Sequence, residues 1–273
     1  MSAEISFIVP ESSDGLRLDK VLASPLPESG LRLRRRLCDE GRVRVSDAPR
    51  KPGYKVRAGQ EILINREQEA VTHSELGVFV VEKTGDFAAV YKPGGVHSAA
   101  IEGKDDASVE AVLPDLFDGE VTLLNRLDFL TSGLLLVALN PEAATRYQEL
   151  EEAGQLRKFY LAEVQGRLDG LATVKNALDT DDRKKTRVLE GDNPDEGRWT
   201  GVETLSHDHE TRTTLVRCLI KRGARHQIRA HLASIGHPIV GDSLYGSAGN
   251  GGLRLHHQRI EFPGFVAEAS SPF

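Results

Sequence analysis

The stretch LLNRLDFLTSGLLLVALN, residues 123–140, sets Arg126 and Asp128 between two apolar runs. Large aliphatic residues cluster on both sides of a Thr-Ser-Gly, so the runs are expected to be strands. A charged pair two residues apart, where a sheet would otherwise continue, is either a structural ion pair or part of a reaction centre. Two further polar residues stand where burial is expected. Tyr160 lies in the strand-like KFYLAEVQG, and Arg229 in ARHQIRAHLASIG, whose Ile228, Leu232 and Ile235 fall at helical spacing. A carboxylate ionised at neutral pH can attack or take a proton, and an arginine can hold it in that state. A phenol offers a flat surface and a hydroxyl. Each also has a structural reading: Asp caps turns, Tyr packs in strands, Arg solvates helix faces. Spacing alone does not join the three.

The elements that must position these residues follow from the bulk and the pattern. A chain of 273 residues with 39% hydrophobic and 28% charged residues is an ordinary globular composition, long enough for about two domains. The longest apolar run, Leu134 to Leu139, is far short of the ~20 residues of a membrane span. MSAEISFIVPESSDG has no basic or apolar leader pattern, so a cytoplasmic protein is expected, with Cys38 and Cys218 as reduced structural thiols. Charge is uneven. Residues 14–66 hold 13 Lys/Arg against 7 Asp/Glu, a net +6; with −6 overall, the remainder carries −12. A small basic module joined to a larger acidic one points to an anionic partner.

In the basic module, SGLRLRRRLCDEG (29–41) is expected to form a helix. Ser29 can cap its start, Leu33 and Leu37 share a face, and Gly41 suits the position past its end. Arg32, Arg35 and Arg36 share the other side, while Arg42 and Arg44 alternate with Val43 and Val45 as in a strand buried on one side. SDAP and KPG are turns, and GQEILI is a strand. The surface so formed suits phosphates. NREQEAVTHSE (65–75) is polar and aperiodic, as a linker would be.

In the larger module, VFVVEK and FAAVYK flank Thr84-Gly85-Asp86 as a hairpin, and KPGGVHS is a loop. SVEAVLPDLF is a short helix. PEAATRYQELEEAG is a longer one, with Asn140 as cap, Pro141 first and Gly154 past its end. The polar LDTDDRKKTRVLEGDNPDEG is expected to be an exposed excursion, TTLVRCLIK a strand, and GLRLHHQRIEFPG the last strand. Strand-rich segments with scattered helices and no regular alternation predict an α+β fold with a mostly antiparallel sheet.

GLRLDKVLA, the basic helix, EGRVRV and YKVRAGQEILI together resemble the alpha-L RNA-binding domain of a small-subunit ribosomal protein, an S-four-like domain. NRLDFLTSGLLLVA resembles the signature of the RluA-type pseudouridine synthases. AVYKPGGVHS, RKFYLAEVQG and HQIRAHLASIGHPIVGDSLYG follow in that family's order. The resemblance implies an S-four-like domain at 14–65, a linker at 66–75 and a catalytic domain at 76–266. It implies that uridines in structured RNA are isomerised to pseudouridine, with ribosomal RNA favoured and transfer RNA the alternative. By motif position Asp128 is the catalytic carboxylate, Arg229 its partner, Tyr160 the aromatic against the target base, and Arg126 the residue filling the gap left by a flipped nucleotide. Arg32, Arg35, Arg36, Arg42 and Arg44 would contact RNA. The isomerisation is redox-neutral, so neither cofactor nor metal is expected, and a monomer is the default.

This chain departs from the family pattern in three places. Asn125 replaces His, an expected change of packing or hydrogen bonding only. Gly223-Ala224-Arg225 replaces Gly-Arg-Thr/Ser, moving a cation by one residue, about 100° on a helix start. Phe129-Leu130 replaces a more polar pair. These motivate a competing class, a catalytically silent RNA-binding or ribosome-assembly factor, which an intact Asp128, Tyr160 and Arg229 argues against. An Asp-based hydrolase would need a water-activating partner that the motifs lack. HDHE (207–210) and His256-His257 lack a metal-type constellation and are expected to be loop and strand-end residues. DDRKKTR is either an RNA-contacting loop or a solvated turn.

Overall fold

The computed structural model describes residues 4–27, 31–65, 72–100, 107–182, 184–246 and 252–273. The chain divides into two compact units, residues 1–71 and, for most of the rest, residues 72–99 and 107–273.

The first unit contains β1 (Glu4–Ile8), α1 (Leu18–Val21), α2 (Leu31–Asp39), β2 (Val43–Val45), β3 (Ala48–Pro49) and β4 (Glu61–Asn65). Its sheet runs β1-β4-β2-β3, and every pairing is antiparallel. Strand β1 was not foreseen, since the sequence pattern gave no element before residue 14. Val43 and Val45 point inward and Arg44 outward, as the alternation required. They meet Ile62, Ile64, Leu18, Leu22 and Leu37 in one core. Ser46 and Asp47 both take left-handed φ values, which lets a two-residue turn join β2 to β3. The capping expected of Ser29 lies outside the described residues. Gly41 takes φ +75°, as expected past the end of α2.

Asp19 ties the two helices together. Its carboxylate is fully buried and accepts from Arg17 Nε at 3.0 Å, Arg17 Nη2 at 2.8 Å and Arg35 Nε at 2.8 Å. The Arg17 hydrogen bonds, opposed by burial and helped by Arg35, hold its pKa down at about 2.

The second unit contains β5 (Phe79–Lys83), β6 (Phe87–Lys92), α3 (Val109–Leu116), β7 (Thr122–Leu123), β8 (Ser132–Ala138), α4 (Pro141–Glu152) and β9 (Arg157–Gln165). It continues with β10 (Leu171–Val174), β11 (Asn176–Asp179), β12 (Arg187–Asp192), β13 (Thr200–Asp208), β14 (Thr213–Ile220), α5 (Gln227–Ser234), β15 (Leu255–Phe262) and β16 (Phe265–Glu268). The main sheet runs β10-β13-β14-β9-β15-β8-β6-β5, with β16 on β15 and β7 on β8. Its pairings are antiparallel except β15 with β8. All of β8 is buried, which is why it is apolar without alternation. Val109, Val112 and Leu113 of α3 pack with Leu135 and Val137, whereas Ala143 and Tyr147 of α4 pack with Leu134 and Leu136. Alternate β8 residues thus feed two separate cores. Ile228 and Leu232 of α5 join a third, with Val164 and Cys218. The fold is α+β.

Three local expectations are corrected. Residues 124–128 are irregular rather than strand, because β7 ends at Leu123 and β8 starts only at Ser132. Arg126 and Asp128 therefore do not alternate on a strand. The polar stretch after residue 175 is not a bare excursion, since β11 and β12 pair there as a separate hairpin. Helix α5 begins at Gln227, so Ala224 and Arg225 lie before it and the helical rotation does not apply. Strands β10, β13 and β16 were also unforeseen.

The Asp19 carboxyl is lower in pKa when folded, so its stabilisation is present above pH ~4 and is lost as pH falls toward ~2. Asp19→Asn is expected to flatten that acid limb in urea melts. An unchanged limb would contradict the assignment.

Candidate active site

The segment between β7 and β8 is irregular in dihedral angles but fixed in place. Leu124 N–H donates to Leu136 O at 2.8 Å, and Leu136 N–H donates to Asn125 Oδ1 at 2.6 Å. The Asn125 amide thus stands in for the next rung of a β-ladder. Ser98 grips Leu127 from both sides, its hydroxyl donating to Leu127 O and accepting from Leu127 N–H, each at 2.9 Å. Fully buried Lys92, at the end of β6, donates to Pro93 O at 2.9 Å, Val96 O at 2.8 Å and Phe129 O at 3.2 Å. Burial outweighs the opposing charge of Asp128 and holds its pKa down at about 8. Asp128 therefore rides on a backbone held on both flanks.

Its side chain meets Arg229 of α5. Arg229 Nη1 donates to Asp128 Oδ2 at 2.8 Å. The rest of the guanidinium grips Asp242, with Nε to Oδ2 at 2.7 Å and Nη2 to Oδ1 at 2.9 Å. Asp242 is fully buried, and its Oδ1 also accepts from the N–H groups of Leu244 and Tyr245. Burial alone would lower the Arg229 pKa, but the hydrogen bonds to Asp242 and Asp128 raise it above its ordinary value. For Asp242, burial acts upward and the Arg229 hydrogen bonds win, lowering its pKa. The result is a carboxylate–guanidinium–carboxylate chain in which Asp128 is the exposed end, 24% accessible.

Tyr160 in β9 is 7% exposed, and its ring stacks on His257 of β15 with centroids 4.4 Å apart and planes 14° from parallel. Burial raises its pKa, and Asp128 acts in the same direction, so the carboxylate's field reaches this phenol. His257 donates Nδ1–H to Leu134 O at 2.6 Å, and burial drives its pKa down to about 3. His226, just before α5, points Nε2 toward Asp128 Oδ2 at 3.8 Å. Arg126 is exposed and makes no hydrogen bond or ion pair with any described residue.

The remaining sequence candidates are placed as follows. Arg35 is committed to Asp19. Arg36 and Arg42 flank Glu40 at 3.4 and 3.6 Å, exposed Arg44 donates to Asp47 O at 3.1 Å, and the Arg32 side chain lies outside the described residues. Arg225 donates to the carbonyls of Thr180 and Asp182, so this departure straps the β11–β12 hairpin to the start of α5. Phe129 and Leu130 are 44% and 41% exposed, and Phe129 packs on the His97 ring at 4.5 Å. His207 is held by Asp169 and Thr214. His256 is buried against Ser132. Sequence reasoning missed Asp242, Ser98, Lys92 and His226, although each lies within or beside a quoted motif.

A partly exposed carboxylate clamped by a buried arginine, in the same unit as a tyrosine stacked on a buried histidine, suits acid–base or nucleophilic work on a flat heterocycle. An RNA pseudouridylate synthase family model matches residues 86–234, and an S4 domain model matches residues 16–62. The chain is 30% identical over 259 residues to ribosomal large subunit pseudouridine synthase D of Yersinia pestis, covering 89% of this chain and 77% of that one. It is 32% identical over 259 residues to ribosomal large subunit pseudouridine synthase C of Escherichia coli K12, covering 85% and 76%. Among solved structures, human RNA pseudouridylate synthase domain containing 1 superposes with a TM-score of 0.60 at 26% identity, over 76% of this chain and 86% of that one. The chain belongs to the RNA pseudouridylate synthase family. It is an isomerase of uridine in RNA, carrying an S4 RNA-binding domain at its N-terminal end.

Ser98→Ala would leave both backbone groups of Leu127 without their partner, at a cost of about 1–3 kcal/mol. It is expected to reduce turnover more than RNA affinity, because Asp128 is the neighbouring residue. Turnover equal to wild type, measured with an intact fold, would remove Ser98 from the positioning frame.

Proposed function

We propose that this enzyme isomerises uridines of ribosomal RNA in the cytoplasm, with Asp128 as its catalytic carboxylate. The observation that carries this reading is the Asp128–Arg229–Asp242 chain, in which a partly exposed carboxylate is oriented by a buried cation. The relatives' names supply the ribosomal substrate. In the reaction the bond from uracil N1 to ribose C1′ breaks and one from C5 to C1′ forms. C5 loses a proton and N1 gains one, so no atom or electron is added. Asp128 acts on the ribose or the base, Arg229 keeps it aimed, and the Tyr160 ring lies against uracil. The target nucleotide leaves its stack at a cost of a few kcal/mol. Arg126, an exposed cation without a partner among the described residues, enters the vacancy.

Residues 14–65 serve as the RNA-binding domain, 66–75 as the linker and 76–266 as the catalytic domain. Arg32, Arg36, Arg42 and Arg44 contribute phosphate contacts, while Arg35 acts mainly through Asp19. Support comes from the +6 charge of this region against −12 elsewhere.

The deciding experiment is site-resolved pseudouridine mapping on unmodified ribosomal and transfer RNA, and on assembling ribosomal particles. Asp128→Asn is expected to lower isomerisation by at least about a thousandfold while leaving RNA affinity within about threefold. Parallel loss of both would indicate a binding role for Asp128 instead. Arg44→Ala should weaken RNA binding and lessen the slope of log affinity against log salt by about one contact. An unaltered slope would remove Arg44 from the interface.

A further inference from the structure

His226 is not part of the carboxylate–guanidinium chain, yet its imidazole is fixed beside it. Its backbone is left-handed, φ 56° and ψ 16°, an uncommon conformation for a side chain of this size. Nδ1 lies 3.2 Å from the Tyr245 hydroxyl, and Nε2 lies 3.8 Å from Asp128 Oδ2. Proton bookkeeping at Tyr245 favours one tautomer of the ring. The hydroxyl has one hydrogen, and Thr186 O, 3.0 Å away, can only accept it. The Tyr245 hydroxyl oxygen in turn accepts from Thr186 N–H at 2.8 Å. With the hydroxyl hydrogen given to Thr186 O, the remaining lone pair faces Nδ1, and Nδ1 carries the imidazole hydrogen.

Nε2 of the neutral ring is then a bare acceptor. Burial lowers the ring's pKa, with Arg229 and Arg225 acting the same way and Asp128 and Asp242 opposing, so the neutral form holds at neutral pH. Two acceptors, imidazole nitrogen and carboxylate oxygen, thus face one another across 3.8 Å, with side chains 14% and 24% exposed. Among the described residues no N–H or O–H donates to Nε2. The arrangement is complete only when something brings a hydrogen to it.

We propose that His226 is a specificity-determining residue whose Nε2 accepts a donor hydrogen of the target nucleotide, either uracil N3–H or the ribose 2′-hydroxyl. The inference rests on Asp128 being the catalytic carboxylate. Each of these hydrogens is missing from a wrong substrate: cytosine has a lone pair at N3, and deoxyribose lacks the hydroxyl. A fixed acceptor here meets cytosine lone pair to lone pair, or stays unpaired against deoxyribose. Either way the wrong substrate is penalised.

The test uses the full-length enzyme and ribosomal RNA transcripts. His226→Ala is expected to lower kcat/KM at least tenfold with an unchanged melting temperature. His226→Gln, whose amide oxygen can occupy the place of Nε2, should recover part of the loss. With 2′-deoxyuridine at the target position, the His226→Ala penalty vanishes if the hydroxyl is the donor and persists if the imide is. Independently of turnover, ¹⁵N shifts of the free enzyme should show Nδ1 protonated and Nε2 bare. His226→Ala within twofold of wild type on uridine RNA, or a hydrogen on Nε2, overturns the inference. A wild type that makes no pseudouridine defeats the proposed substrate, and the tautomer then decides this inference alone.

Discussion

One buried guanidinium serves two carboxylates. Taking ions out of water costs several kcal/mol each, and a single hydrogen bond from Asp128 would be a weak return for burying Arg229. Asp242 supplies the larger return, because it presents both oxygens to the fork and is itself held by two backbone N–H groups. Arg229 is thereby fixed without drawing on Asp128, to which it gives one bond. The exposed carboxylate keeps its second oxygen free of Arg229. A design with Arg229 and Asp128 alone would pull that carboxylate into a bidentate pair and occupy both of its oxygens.

The rest of the second unit can be understood as what brings the ends of this chain together. Asp128 comes from an irregular segment, which could not hold a position by ladder bonds of its own. Ser98 and Lys92 supply bonds from outside, and the Asn125 side chain supplies one from within. Arg229 projects from α5, whose place is set by Ile228 and Leu232 in the core beneath. Gly133, at φ +116°, lets β15 approach so closely that an added Cβ would lie 2.3 Å from His257 O. That approach carries His257 under the Tyr160 ring.

Periodicity and punctuation carried much of this into view. The β5–β6 hairpin follows from two apolar runs around Thr84-Gly85-Asp86, and α4 from Asn140, Pro141 and Gly154, since these are local effects of backbone preference. Asp128 and Arg229 were legible as a pair only through the motif resemblance, because 101 residues separate them and no local rule links them. Asp242 escaped notice for a related reason: an Asp after Gly241 looks like a turn residue until the arginine behind it is seen. Residues 124–128 were mistaken for strand because their neighbours are apolar, whereas their backbone groups bond to Ser98 and to the edge of β8. The β11–β12 hairpin was hidden by its charge. It gains order from Arg225 and Tyr245, which lie outside it.

The parallel joint between β8 and β15 also bears on how the molecule comes into being. Ser132 and His256, neighbours across that joint, are 124 residues apart in the chain. On a ribosome, β8 is made long before β15, and its Ser132–Gly133 end must wait unpaired on that side, while β7 already covers Val137 and Ala138. Contacts of such long separation also close slowly, because the loop entropy is met before any bond rewards it. The stack of His257 on Tyr160 cannot form until β15 is in place. Synthesis and folding are therefore ordered in time: a nascent chain lacking β15 has Asp128, Tyr160 and Arg229 already translated but no strand to join β9 to β8.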